Sequence, residues 1–398
     1  MHTVAVLAFW VGAILVGYGY VGYPLILNAL GRIRRRTVIR SAGEPRVSLV
    51  VPAYNEAHVI KAKIDNCRQL DYPTDRLQVL IASDGSTDAT SELLQAASSE
   101  AIIGVVYPER RGKVAVLNDL VRRASGEIVV FSDAASMLEP GSIRALVSSF
   151  ADARVGCVSG VYRVAEARRD GEAVPESLYW RYETFVRLLE SRLGAMLGAH
   201  GSLYAIRRTL FEPIDPRVIN DDFVIPVTIL LKGFDSVYDT RAVAWEDAAE
   251  MAGFTRRIRI AVGNYQQLGL LLRERGVWRK PQLLFQLVSH KALRLAMPFL
   301  LLGIYLGSAG LSAHPGYRLA FAAQTLFYGL ASLGHRPDAR RCGRAFIAAP
   351  YYFCMLNAAI LLGLYRVVRG GTPVTWKSGP VERCAPAAGD GRSKLENP

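Results

Sequence analysis

From Val4 to Leu30 the chain runs without one charged side chain, and this constrains it more than any other feature. About 20 apolar residues in helical form cross the hydrocarbon core of a bilayer, so the stretch predicts one spanning helix, residues 1–31. A cleaved signal peptide would carry its basic residues before the apolar core. Here Arg32, Arg34, Arg35, Arg36 and Arg40 follow it, and the positive-inside rule sets the amino terminus outside and the next segment in the cytoplasm. Three further apolar stretches come late: Leu295 to Leu311, Leu319 to Leu333 and Ala345 to Tyr365. The first two predict a helical hairpin. Arg336, Arg340, Arg341 and Arg344 assign the loop before the third to the cytoplasm, while Arg366, Arg369, Lys377 and Arg383 pull its far end to the same side. Pro350 offers a break that would make the third stretch re-entrant or interfacial, so the side of the carboxyl terminus stays open.

A hydrophobic fraction of 51% against 21% charged residues suits an integral membrane protein. The net charge of +13 favours anionic partners, but the arginines gather at membrane boundaries, which argues against nucleic acid as the partner. Five cysteines, Cys67, Cys157, Cys342, Cys354 and Cys384, are scattered without a Cys-x-x-Cys pair, so neither a disulfide framework nor a zinc site is implied. Residues 251–290 hold Arg256, Arg257, Arg259, Arg273 and Arg275 in an apolar setting, the pattern of an interfacial amphipathic helix. Residues 291–368 carry the C-terminal membrane helices, and 378–398 reads as a disordered tail.

Between them, residues 45–250 alternate short apolar runs with helical patterns. Strands are predicted at Val47 to Val51, Val79 to Ala82, Ile102 to Val106, Ile128 to Phe131 and Val155 to Val158. Helices are predicted near Val59 to Gln69, Asp88 to Ser98, Val114 to Ala124 and Ile143 to Ala151. The order is that of an α/β domain with a mostly parallel, Rossmann-like sheet inserted between transmembrane helices, which places ligands at the carboxyl ends of the strands. The first strand ends in Val51-Pro52-Ala53-Tyr54-Asn55-Glu56, and the second in Ser83-Asp84-Gly85-Ser86-Thr87-Asp88. Asp88 is placed to cap the next helix, whereas Asp84 precedes the glycine turn and faces the crevice.

These loops resemble the nucleotide-sugar site of family 2 glycosyltransferases with the GT-A fold, the group of cellulose, hyaluronan and poly-N-acetylglucosamine synthases. The resemblance spans about residues 45–270 and the flanking membrane architecture. It implies that Ala53, Tyr54 and Glu56 line the base of a UDP-sugar and that Asp84 holds its nucleoside. Arg111-Gly112-Lys113 with Asn118 is similar to the family's Gly-Lys segment, which implies Lys113 near the diphosphate. Val130-Phe131-Ser132-Asp133-Ala134-Ala135 stands where the family has Asp-x-Asp, with Ala135 replacing the second aspartate. Asp133 is the implied ligand of Mg²⁺ or Mn²⁺, and a divalent ion on a diphosphate needs only one or two carboxylates. Asn220-Asp221-Asp222 matches the family's Thr-Glu-Asp, which implies Asp222 as the base for the acceptor hydroxyl, with Asp221 as the rival assignment. Gly198 to Ser202 resembles the acceptor loop, with His200 and Gly201 facing the acceptor. Arg256 to Ile260 takes the register of Gln-x-x-Arg-Trp, followed by Gly263. Arg259 keeps the diphosphate-binding cation and Ile260 replaces the tryptophan, so Trp245 is the candidate aromatic platform for the acceptor.

The resulting expectation is an inverting hexosyltransferase of the inner or plasma membrane with its catalytic domain in the cytoplasm. It would move a sugar from a nucleotide-diphosphate donor to a growing polysaccharide, with a single addition to a lipid-linked acceptor as the alternative. Membrane lipids, and a second copy or partner subunit for export, are the other expected partners. The non-enzymatic alternative is a membrane transporter or a nucleotide-sensing scaffold; charge within the spanning cores would support transport, and the apolar stretches supply essentially none.

Overall fold

Four of the apolar runs become neighbouring parallel strands: β1 (Val47–Ala53), β2 (Leu77–Asp84), β3 (Ile102–Tyr107) and β4 (Ile128–Phe131). β1 is buried along its whole length because helices cover both faces, and such a strand reads as a continuous apolar run. One face packs against α3 (Ile60–Arg68), α4 (Thr90–Ala97) and α6 (Ser142–Ser148), and the other against α5 (Lys113–Arg123). The computed structural model describes residues 2–165, 174–247, 253–335 and 337–370. The expected tail at 378–398, Lys377, Arg383 and Cys384 lie outside them, as do the side chains of Arg336, Arg340, Arg341, Cys342 and Arg344.

β5 (Met137–Leu138), β6 (Val155–Ala165), β7 (Tyr204–Arg207) and β8 (Asp235–Asp247) complete an eight-stranded sheet in the order β3-β2-β1-β4-β7-β6-β8-β5. β7 runs antiparallel to both β4 and β6, so the sheet is mixed beyond β4. The chain leaves β1 toward β2 on one side and reaches β4 on the other, which opens a crevice at the carboxyl ends of β1 and β4. The sequence reading found neither β7 nor the length of β8. It also missed α7 (Val174–Ser191), which leads into the loop before β7, while α8 (Asp221–Leu231) opens on the two adjacent aspartates.

The N-terminal stretch is a continuous helix, α1 (His2–Gly17) and α2 (Tyr23–Ile33) joined by a π-helical turn at Tyr18–Gly22. After the sheet come α9 (Phe254–Arg273), α10 (Arg275–Trp278) and α11 (Pro281–Gln286). A second π-helical turn, Leu287–Ala292, then joins α12 (Leu293–Gly310), followed by α13 (Pro315–Leu333) and α14 (Pro337–Val368). Among the described residues three helical segments are long and apolar enough to cross a membrane: His2–Ile33, Pro281–Gly310 and Phe346–Val368. α12 and α13 form the expected hairpin, but α13, which carries Arg318 and Gln324, is not one of the three. Pro350 does not break α14. The helix packs along α9 and α13, and packed neighbours let a helix of this apolar kind carry a proline without unwinding. α9 does not lie alone as an interfacial helix either: its Ile258, Ala261 and Val262 are buried, and Gly363 of α14 closes on Ala261.

Candidate active site

The loops after β1 and β2 are locked to one another. Asn55 takes a positive φ of 55°. Its Oδ1 accepts the Thr87 N–H (2.8 Å), and its own N–H donates to Ser86 Oγ (3.1 Å). Asp88 caps as expected, with Oδ1 accepting the Thr90 N–H at 3.0 Å and Oδ2 accepting the Ala57 N–H at 3.0 Å. Buried Asp84 accepts the backbone N–H groups of Arg111 (2.7 Å) and Gly112 (2.8 Å), so its carboxylate fixes the turn that leads into Lys113. Gly85 sits at φ 62°, where a Cβ would approach Arg110 N to 2.5 Å; no other residue type fits this turn. The Arg110 guanidinium lies 3.7 Å over the Tyr54 ring, a cation–π contact with no forewarning in the motifs. Ala53, Tyr54, Glu56 and Asp84 thus form one corner at the ends of β1 and β2.

A second group converges beside it, in a cavity of about 470 Å³. Its wall includes Lys113, Asp133, His200, Gly201, Asp221, Asp222 and Arg259, but not Trp245 or the Tyr54 corner. Lys113, at the start of α5, places its ammonium 2.9 Å from Asp133 Oδ1 and 3.3 Å from Asp221 Oδ1. Burial works against that charge and is outweighed by Asp133, Asp221 and Asp222, so the Lys113 pKa stands above its ordinary value. A Cβ on Gly201 would lie 3.4 Å from Asp133 Oδ2 and 3.5 Å from Asp222 Oδ2. That glycine therefore marks the free point between the two carboxylates. Burial, and then the neighbouring Asp221, push the Asp222 carboxyl up to about 6, with Lys113 opposing them. Arg259, on α9, is drawn down by burial and by Arg256, and Asp133, Asp221 and Asp222 oppose that shift.

Three supports hold this group. The Ala199 N–H donates to the Asp222 carbonyl (2.8 Å), tying the loop from Gly198 to Ser202 to α8. Lys63, fully buried behind the site, donates to Ser132 Oγ (2.8 Å) and to the Ser136 carbonyl, and Ser132 Oγ donates to the Ser202 carbonyl (2.9 Å). On the α9 side a Cβ at Gly263 would fall 2.6 Å from Asn220 Nδ2. Asn220 is further held by Gln267 Nε2, which donates to its carbonyl at 3.2 Å. His200 is a buried neutral base, its pKa driven far down by burial and by Arg187, and its Nε2 meets Tyr238 Oη at 3.0 Å.

Trp245 stands elsewhere. Its Nε1 donates to Glu139 Oε1 (2.9 Å), and β8 alternation turns the next residue, Glu246, into the cavity. The aromatic residues that line the cavity include Tyr179, Trp180 and Tyr182 of α7, and Trp180 lies 5.5 Å from the His200 ring. Sequence reasoning missed α7. The signal available was the spacing of Glu183, Arg187 and Glu190, which puts opposite charges on one helix face. Among the described residues no three His, Cys, Asp or Glu side chains gather to hold an ion. Asp133 nonetheless keeps Oδ2 directed to the open point beside Gly201, and one hard oxygen ligand is enough when a diphosphate and water supply the rest.

Comparison with known proteins agrees with this geometry. The sequence model described as "Glycosyl transferase family 2" matches residues 48–214. The chain is 26% identical over 239 residues to "Probable glycosyltransferase YdaM" of Bacillus subtilis (strain 168), covering 55% of each protein. It is 23% identical over 229 residues to the poly-beta-1,6-N-acetyl-D-glucosamine synthase of Staphylococcus aureus (strain COL), covering 56% of this chain and 55% of that protein. The chain thus spans about half the length of the curated relatives it matches. Among solved structures, the mannosyltransferase PcManGT from Pyrobaculum calidifontis, in complex with GDP-Man and Mn²⁺, superposes with a TM-score of 0.70 at 25% identity, covering 91% of this chain and 99% of that one. The crevice at β1 and β4, the motif order and these likenesses lead to one statement: residues 48–214 match the sequence model of glycosyl transferase family 2, and the fold is that of GT-A glycosyltransferases.

Proposed function

We propose that this protein is a membrane-bound inverting glycosyltransferase that takes a nucleotide-diphosphate sugar in the crevice and transfers the sugar to an acceptor hydroxyl in the adjoining cavity. One observation carries the reading: Lys113, Asp133, Asp222 and Arg259 share a cavity whose far wall is made by the membrane-side helices, including Leu295 of α12 and Leu356 and Ile360 of α14. Asp222 accepts the proton of the acceptor hydroxyl as its oxygen attacks the anomeric carbon. The bond between that carbon and the diphosphate oxygen breaks, and the nucleoside diphosphate leaves with the electron pair. Lys113 and Arg259 stabilise the charge that grows on the leaving group. A divalent ion, when bound, would add to that charge stabilisation, and Asp133 is the residue to hold it.

The Pyrobaculum protein, solved with GDP-Man and Mn²⁺, supports a nucleotide-sugar donor and a divalent cofactor. The likeness to a poly-N-acetylglucosamine synthase supports polysaccharide extension on a UDP-sugar. Ile260 at the place of the acceptor-stacking tryptophan, and a cavity that runs into the membrane helices, favour the second reading, one addition to a lipid-linked glycan. The candidate spans and the arginines that flank Ile33 support a position at the cytoplasmic face of the inner or plasma membrane. Membranes carrying the wild type or Asp222→Asn, incubated with radiolabelled UDP- and GDP-sugars, test the reaction. Label enters glycan or lipid only with the wild type, while both proteins bind the nucleotide. Equal labelling by the variant removes Asp222 as the base.

A further inference from the structure

The proposed reaction leaves a second set of cations on the same cavity unexplained. Arg187 of α7, Lys291 of the π-helical turn and Arg294 of α12 line its membrane-side wall. The buried carboxylates beside them are already committed. Glu183 pairs with Arg294, with Arg187 Nε at 3.9 Å and His290 Nε2 at 3.8 Å. Glu190 accepts the Tyr23 O–H (2.6 Å) and the Leu197 N–H (3.2 Å), and it meets His290 Nδ1 at 2.7 Å. Arg187 Nη1 is left buried without a hydrogen-bond partner, and so is Trp180 Nε1. Among the described residues no carboxylate pairs with the Lys291 ammonium, which lies 4.7 Å from the centre of the Phe223 ring. A buried cation costs several kcal/mol of desolvation unless something pairs with it. Lys291 and Arg294 also belong to a segment apolar enough to cross a membrane, where ionisable side chains mark ligand sites.

We propose that Arg187, Lys291 and Arg294 bind the phosphate or diphosphate of a lipid-linked saccharide, the acceptor of the transfer. The proposal rests on the glycosyl-transfer reading above and names its acceptor class. The Arg187 Nη1 donor that no acceptor meets and the Lys291 ammonium that no carboxylate pairs match phosphate oxygens, with Arg294 adding charge beside them. The apolar wall that continues from them along Leu295, Leu356 and Ile360 matches a hydrocarbon chain. Arg187 also stands close enough to act on the Asp222 charge. A base at Asp222 serves a hydroxyl nucleophile, since an ionised phosphate needs no base. The phosphate is therefore the handle of the acceptor, set apart from the sugar that reacts.

The test uses the full chain in detergent, with UDP or GDP present to fill the donor crevice, and farnesyl diphosphate as the probe. Farnesol and inorganic pyrophosphate are the comparison arms, read by thermophoresis. Farnesyl diphosphate binds the wild type more tightly than either comparison compound, and Lys291→Met and Arg187→Met each weaken it about tenfold or more, as loss of a charged hydrogen bond does. Lys291→Arg restores most of the affinity. Lys291→Met breaks no ion pair, and retained nucleotide binding shows that it folds. Equal binding by wild type and both methionine variants overturns the proposal. So does farnesol binding as tightly as the diphosphate, which leaves only an apolar site, or pyrophosphate doing so, which leaves only a soluble anion. Failure of the underlying reading appears separately, as absence of nucleotide-sugar turnover by wild-type membranes.

Discussion

The Lys113 ammonium lies 2.9 Å from Asp133 Oδ1 and spans the gap between the strand-end carboxylate and α8. It neutralises a cluster of acids that would otherwise repel both one another and an incoming diphosphate. Lys113→Met should lower kcat by two to three orders of magnitude, on the order of the 10²–10³ lost with a preorganised donor, and should weaken nucleotide diphosphate more than nucleoside. Calorimetry with UDP or GDP against the corresponding nucleoside reads the difference. An equal loss for both would place Lys113 away from the diphosphate.

Asp222 must be ionised to act as a base, and its pKa of about 6 sits above the ordinary aspartate value. Transfer should therefore rise with pH through about 6 and level off above it. Asp221→Asn removes the like charge that raises Asp222, so the acid limb should move to lower pH. Because the folded-state pKa is raised, ionised Asp222 costs stability at neutral pH, and the cost disappears as pH falls below it. Asp222→Asn should accordingly melt no lower than wild type at pH 7.5, which differential scanning fluorimetry checks.

Gly263 gives α9 its close approach to Asn220, the residue before the two aspartates. Gly263→Ala adds one methyl at 2.6 Å from the Asn220 amide, a distance that forces movement. The expected result is at least a tenfold fall in kcat with nucleotide affinity preserved, since small displacements of reacting groups cost about 10²-fold. Unchanged turnover would show that α9 does not position Asp222.

Lys63 has no solvent at all and holds the loop that carries Asp133 against the loop that carries Gly201. Lys63→Met leaves Ser132 and the Ser136 carbonyl short of a donor. It should destabilise the domain by about 1–3 kcal/mol, seen as a lower denaturant midpoint. Its kcat should drop further than the kcat of Lys63→Arg.

Chelation by EDTA should stop transfer, and Mn²⁺ or Mg²⁺ should restore it. Asp133→Ala should lose both the restoration and most nucleotide-sugar affinity. Full activity after chelation would mean that charge from Lys113 and Arg259 suffices.

Much of the β1 to β4 half was legible because its signals are local. Parallel strands between helix layers are mostly apolar, so β1 to β4 stand out as short apolar runs with Asp84 and Asp133 at strand ends, while Lys113 followed from the family resemblance. The half beyond β4 was less legible. Trp245 and Glu246 are adjacent, and which of them enters the cavity depends on the pairing of β8 with β5 and β6. Lys63 carries no motif signal, because its burial depends on what packs over α3. α7 carries no glycine or aspartate motif, and its Trp180 and Arg187 gain meaning only where His200 and Lys291 come to meet them.

The sequence by itself determined the long apolar helix at the amino terminus, the alternation that builds the sheet, and the family resemblance at the strand ends. Each of these rests on side chains within a few residues of one another or on periodicity along one element. Tertiary structure decided that Lys113 stands between Asp133 and Asp221, that Gly263 of α9 presses on Asn220, and that α7, α12 and α14 close a basic, partly apolar wall over Asp222. Those relations join residues from 20 to more than 150 positions apart, and burial, distance and charge pairing across such gaps exist only once the chain has packed.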